Sequence, residues 1–220
     1  MLVALLVPVI EGVKTGDTGA GTLYVLKAVK SVSLETPSTN FNYLPFLLVS
    51  GHPRYPNKRS LVQFEDLPVA CPSSKIKSAK MYLYYLYAHK SRWHPITGIP
   101  FIPRYMQVHL VKKYWREKQA TSSRPYSGAN WTSPWLGLDG TDAERVPQEW
   151  NPVTILPGRP AGFVDFDITS AVRSWSSGLP NYGLVIRAVN ELEAGIGIRF
   201  ASNSYKDPEM HPFATVLCTK

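Results

Sequence analysis

The sequence predicts an all-β protein, a single antiparallel β-sandwich with one short helix near residues 169–176. Three observations lead there. The 19 prolines, 15 glycines and 12% aromatic residues suit strands and turns better than helices. Runs of β-favouring residues recur between turn-rich segments, with no composition break that would divide the chain into two domains. Apart from one stretch, no segment sustains a 3.6-residue apolar period. A chain of 220 residues with 44% hydrophobic content can bury a sizeable core and lacks the signature of disorder.

The elements follow in order. MLVALLVPVIEG opens with an apolar run too short to span a bilayer. Residues 1–12 are read as a full or partial secretory signal segment, although no basic residue precedes the run. The single domain is expected over 22–220. Strand-like runs are TLYVLKAVKSVSL (22–34), FLLVS (46–50), RSLVQFE (59–65), KIKSAKMYLYYLYAHK (75–90) and YMQVHLVKKYW (105–115). VTILP (153–157), GFVDFDI (162–168), NYGLVIRAV (181–189), IGIRFAS (196–202) and PFATVLCT (212–219) complete the set. Strand alternation puts Lys80, Tyr82 and Tyr84 on one face and Met81, Leu83 and Tyr85 on the other. With Met106, Val108 and Leu110 turned inward, His109 and Lys113 turn outward. In the helix, Ile168, Val172 and Trp175 form one apolar stripe, Asp167 or Thr169 can cap the first turn, and Gly178 ends it. Trp115 and Trp175 are assigned to the core, and Trp93, Trp131, Trp135 and Trp150 to loops.

Asp165 and Asp167 raise the question of catalysis. A hydrolase needs two acids facing each other across a cleft, usually far apart in sequence, whereas an Asp at a helix start stabilises it by about 1 kcal/mol with no further partner. The pair is therefore read as a strand-to-helix junction. Oxygen ligands of this kind suit calcium, so a structural calcium stays open, although no D-x-D-x-D-G loop is present. His52, His89, His94, His109 and His211 occur without H-E-x-x-H or C-x-x-C. There is no G-x-S-x-G elbow, Walker loop or dinucleotide fingerprint, and no motif asks for a cofactor.

Cys71 and Cys218 would be buried free thiols in a cytosolic protein and a disulfide in a secreted one. Such a bridge would contribute about 4–5 kcal/mol in the chain-entropy view. Asn130-Trp131-Thr132 is a glycosylation sequon in a polar segment. Both features point outside the cell.

The charge is uneven. From Leu67 to Arg116 there is no Asp or Glu, while nine basic residues occur in a chain of net charge +8. The excess is read either as a solubilising surface that protects edge strands or as an anion-binding surface with interleaved aromatics. No nucleic-acid-binding signature accompanies it. Outside a cell, an acidic or sulfated polysaccharide fits, because aromatic faces stack on sugars while Lys and Arg pair with carboxylate or sulfate. The candidate surface is Lys80, Tyr82, Tyr84, His109 and Lys113.

The order of motifs resembles the DNRLRE-type extracellular domain. TPSTNFNYLPFLLVS (36–50), KRSLVQFEDLP (58–68), SKIKSAKMYLYYL (74–86) and KKYWRE (112–117) come in its sequence. FDITSAVRSWSSGLPNYGLVIRA (166–188) is the most specific match, and IRFASNS (198–204) and HPFATVLCT (211–219) close it. The tryptophan usually found soon after W-x-E stands further on here, as Trp131. The resemblance spans roughly 25–220 and implies a jelly-roll-like β-sandwich of secreted and surface proteins. Some related modules bind polysaccharides such as alginate, and the family is reminiscent of transforming growth factor propeptides, which hold a protein ligand. It implies no catalytic residues. A Cys71–Cys218 bridge would tie the Tyr-rich strand region to the last strand, as suits secreted variants. The expectation is a non-catalytic secreted glycan- or matrix-binding module with an anionic polysaccharide as ligand. The alternatives are a structural matrix component with an extracellular protein partner and, third, a polysaccharide lyase. No nucleic-acid partner and no membrane span are expected.

Overall fold

The computed structural model describes residues 14–19, 21–51, 57–90, 104–156, 158–191 and 196–220. The signal-like segment 1–12, His52, Trp93 and His94 lie outside the described residues. The strands are β1 (Lys14–Thr18), β2 (Gly21–Leu34), β3 (Phe46–Val49), β4 (Arg59–Phe64), β5 (Ile76–Lys90) and β6 (Arg104–Leu110). They continue with β7 (Val153–Ile155), β8 (Gly162–Asp167), the helix α1 (Thr169–Ser176), β9 (Leu184–Ala188), β10 (Ile196–Ala201) and β11 (Phe213–Cys218). The strand pairs are antiparallel, and the fold is the expected all-β sandwich with one short α-helix.

β2 is long enough to serve both layers. Its first half pairs with β1 and β11 in the first sheet, which also contains β5, β8, β10 and β3. Its second half pairs with β4 in the second sheet, which continues through β9 and β6 to β7. The register shifts between Ala28 and Lys30, where a bulge lets one strand bend from layer to layer. Side chains from the two inner faces, among them Leu26, Phe64, Met81, Leu83, Met106 and Phe200, interdigitate in the main core. Two buried hydroxyls tie β3 onto the second sheet. Ser33 Oγ accepts the Leu48 N–H at 2.8 Å, and Ser60 Oγ donates to the Leu48 carbonyl at 2.9 Å.

The second sheet is buried on both faces. Val32, Leu61 and Val185, in register across β2, β4 and β9, point away from the main core. They meet a second cluster that includes Val111, Trp115, Ala120, Trp131, Leu136 and Ala143. Residues 111–152 thus form a cap over this sheet. The expected strand 105–115 accordingly ends at Leu110. Val111 makes only an isolated bridge to Ala143, and the Lys112 and Lys113 amides donate to the Asp142 carbonyl. The cause is Trp115, which is drawn into the cap core and donates its indole N–H to the Tyr182 carbonyl at 2.8 Å. Trp131 lies in a loop as expected but is buried, its N–H donated to the Thr121 carbonyl at 2.9 Å.

Asp142 organises the cap. Its fully buried carboxylate accepts the Thr132 N–H and hydroxyl at 2.6 Å each and the Gly137 N–H at 3.0 Å, with Lys113 Nζ at 3.2 Å. Trp135 and Leu136 adopt left-handed backbone, φ 62° and 67°. Arg59 holds that turn by donating to both carbonyls while gripping Glu191 in a bidentate pair.

The helix start combines both expected residues. Asp167 Oδ1 accepts the Thr169 N–H at 2.8 Å from just outside the helix, with Ile168 at the cap position itself. Thr169 Oγ1 accepts the Ala79 N–H and so fixes the helix to β5. The helix ends in a Schellman pattern: Leu179 N–H donates to Ser174 and Gly178 N–H to Trp175, with Gly178 at φ 104°. Cys71 and Cys218 form a disulfide, their Cα atoms 6.0 Å apart, which joins the segment before β5 to the last strand.

Candidate functional site

The outer face of the first sheet is an aromatic surface. On β5, Met81, Leu83 and Tyr85 are buried in the core, so Lys80, Tyr82 and Tyr84 face outward, as alternation requires. Pairing with β8 sets Phe163 opposite Tyr84 and Asp165 opposite Tyr82, while β11 sets Phe213 opposite Tyr82 on the other side. Tyr82 and Phe213 stack at 4.7 Å with their planes 11° apart. Phe163 stands edge-on to Tyr84 at 5.1 Å and to Phe213 at 5.3 Å. The four rings form one row in which Phe163 is 39% exposed.

The row extends toward β10. Tyr87, 46% exposed, takes a hydrogen bond on its hydroxyl from Arg199, whose guanidinium also lies 4.1 Å from the centre of the Phe46 ring. Lys80 Nζ sits 2.6 Å from Asp165 Oδ2, and this hydrogen bond raises the lysine pKa against a smaller opposing effect of burial. The face offers ring surfaces for stacking, tyrosine hydroxyls and one guanidinium, that of Arg199, placed near the Phe46 and Tyr87 rings. The Lys80 charge is matched by Asp165.

The other candidates lie elsewhere. His109 does turn away from Met106, Val108 and Leu110, but it is buried, because the face it turns to is covered by the cap. The expected outward placement is corrected on that ground. Its Nδ1 meets the Glu144 carbonyl at 3.0 Å, and burial pushes its pKa down to about 4. Lys113 belongs to the cap, where its ammonium donates to the Asn130 carbonyl at 2.7 Å and pairs with Asp142. Neither residue shares a surface with Tyr82 and Tyr84. Among the described residues, the acid-free stretch Leu67–Arg116 likewise does not form a single basic surface: Arg104 is buried, and Lys80 and Lys113 are ion-paired. The Asn130 side chain is exposed and that of Trp131 is buried, while Thr132 Oγ1 bonds Asp142.

Phe163, Phe213, Tyr87, Arg199 and Phe46 are the residues that sequence reasoning left out. Alternation on GFVDFDI gave a signal for Phe163, since it shares a face with Asp165. The cross-strand partners that turn single rings into a row come from non-local pairing. No protein-family model matches the chain, and no curated protein matches it.

Proposed function

We propose that the protein is a secreted, non-catalytic glycan-binding module of the DNRLRE type, with an anionic polysaccharide as its favoured ligand. The observation that supports this most is the row Tyr82–Phe213–Phe163–Tyr84 on an open sheet face, continued by Tyr87 and Arg199. Aromatic rings fixed by one another lose little conformational entropy on stacking against sugars. A disulfide between buried cysteines fits an oxidising compartment, and the exposed Asn130 side chain fits its use as a glycan acceptor there.

The test is retention on immobilised alginate, heparin and a neutral β-glucan at rising salt, with the Tyr82→Ala/Tyr84→Ala variant alongside. The reading expects retention of the wild type and at least about tenfold weaker binding of the variant, the loss of roughly one stacking contact. Wild-type protein that passes through all three matrices at low salt would end it.

A further inference from the structure

A second group of aromatic and cationic side chains lies at the cap, built on different elements from the sheet-face row. Tyr114, 43% exposed, has its ring 5.9 Å from the rings of both Tyr126 and Tyr182. Lys30 Nζ, reaching in from β2, stands 5.6 Å from the Tyr114 ring centre, and the Arg116 guanidinium carbon lies 5.6 Å from that of Tyr126. The frame is built. Trp115 is buried and bonded to the Tyr182 carbonyl, and its chain neighbours Tyr114 and Arg116 are both exposed. The Arg116 N–H donates to the Pro125 carbonyl at 3.0 Å, which brings Tyr126 alongside.

Carboxylate pairing separates the cations of this cluster from Lys80. Among the described residues, Lys58, Arg59, Lys80 and Lys113 are paired with carboxylates; Lys30 and Arg116 are not. Lys30 donates to the neutral Gln63 Oε1 at 3.0 Å. The neighbouring acid, Glu117, turns its carboxylate to the Ser31 N–H and the Asn203 amide. Two cations are thus held against the Tyr114 and Tyr126 rings with no carboxylate at ion-pair distance. An anionic group meeting Lys80 must compete with Asp165, whereas one meeting Lys30 and Arg116 has no carboxylate to displace.

We propose that Lys30, Tyr114, Arg116, Tyr126 and Tyr182 form a second saccharide-binding surface that takes the carboxylate or sulfate groups of an anionic glycan. This rests on the glycan-binding reading and adds a second cationic surface, at the cap, to the Arg199 guanidinium of the sheet face.

The experiment compares wild type, Lys30→Gln/Arg116→Gln and Tyr82→Ala/Tyr84→Ala on alginate, heparin and a neutral β-glucan, with thermal unfolding of each to establish that the variants fold. Two charge-assisted contacts removed should weaken binding to the anionic polymer at least about tenfold at low salt. That loss should shrink as salt rises, and binding to the neutral glucan should stay as in wild type. Alginate and heparin distinguish carboxylate from sulfate as the group taken. Unchanged anionic binding in Lys30→Gln/Arg116→Gln, or an equal loss on the neutral polymer, overturns the cap surface while leaving the glycan-binding reading in place. A wild type that binds none of the three overturns both.

Discussion

His109 shows how a correct local reading leads to a wrong placement. The alternation of β6 was legible, because Met106, Val108 and Leu110 are all in the main core. What lay on the other side was not, since residues far along the chain supply the cap. Burial holds the His109 pKa at about 4, below the ordinary histidine value of 6.5. Arg187 and Arg59 reinforce that lowering, while the Glu144 carbonyl and Glu191 oppose it. As pH falls, the unfolded chain takes up the proton first, so stability contributed by the neutral imidazole is intact above about pH 6.5 and lost toward pH 4. At about 1.4 kcal/mol per unit the loss is of the order of 2–3 kcal/mol. Urea midpoints at pH 7, 5.5 and 4.5 should fall more steeply in wild type than in His109→Gln. Equal slopes would mean that this histidine does not set the acid sensitivity.

At the scale of elements, β5, α1 and most strands were readable because each carries its own signal: strict alternation, an apolar stripe, a glycine at a helix end. The cap was not. Residues 111–152 contribute a bridge rather than regular strands, and their order comes from Trp115, Trp131 and Asp142 reaching non-local partners. Trp131 looked like a loop residue and Asp142 had no motif to mark it. A buried carboxylate accepting three hydrogen bonds and one ammonium is costly to delete. Asp142→Ala should destabilise by about 3–5 kcal/mol, leaving Lys113 unpaired and the Thr132 and Gly137 amides without acceptors. Hydrogen exchange should speed first at Thr132 and Gly137 while β5 and β11 stay protected. Uniform loss of protection across the molecule would show instead that the cap is not a separate unit of stability.

For the whole molecule, the sandwich followed from composition and turn spacing, whereas the order of strands and the sharing of β2 between layers needed the structure. The Cys71–Cys218 bridge spans a sequence separation of 147 residues and fastens the last strand to the segment ahead of β5. Its removal in Cys71→Ser/Cys218→Ser should cost about 4–5 kcal/mol and lower the unfolding midpoint by about 10–20 °C. An unchanged midpoint would mean that the last strand and the segment ahead of β5 are held together by packing alone. The same non-local pairing assembles the aromatic face, since Tyr84, Phe163 and Phe213 come from three strands. Hydroxyl-radical footprinting with and without saturating alginate tests that face most directly. Protection of Tyr84, Tyr87 and Phe163, with exposed Tyr43 unchanged as an internal reference, is the result expected. Labelling of those three side chains that does not change when alginate binds would contradict the assignment of the first sheet as the glycan-binding face.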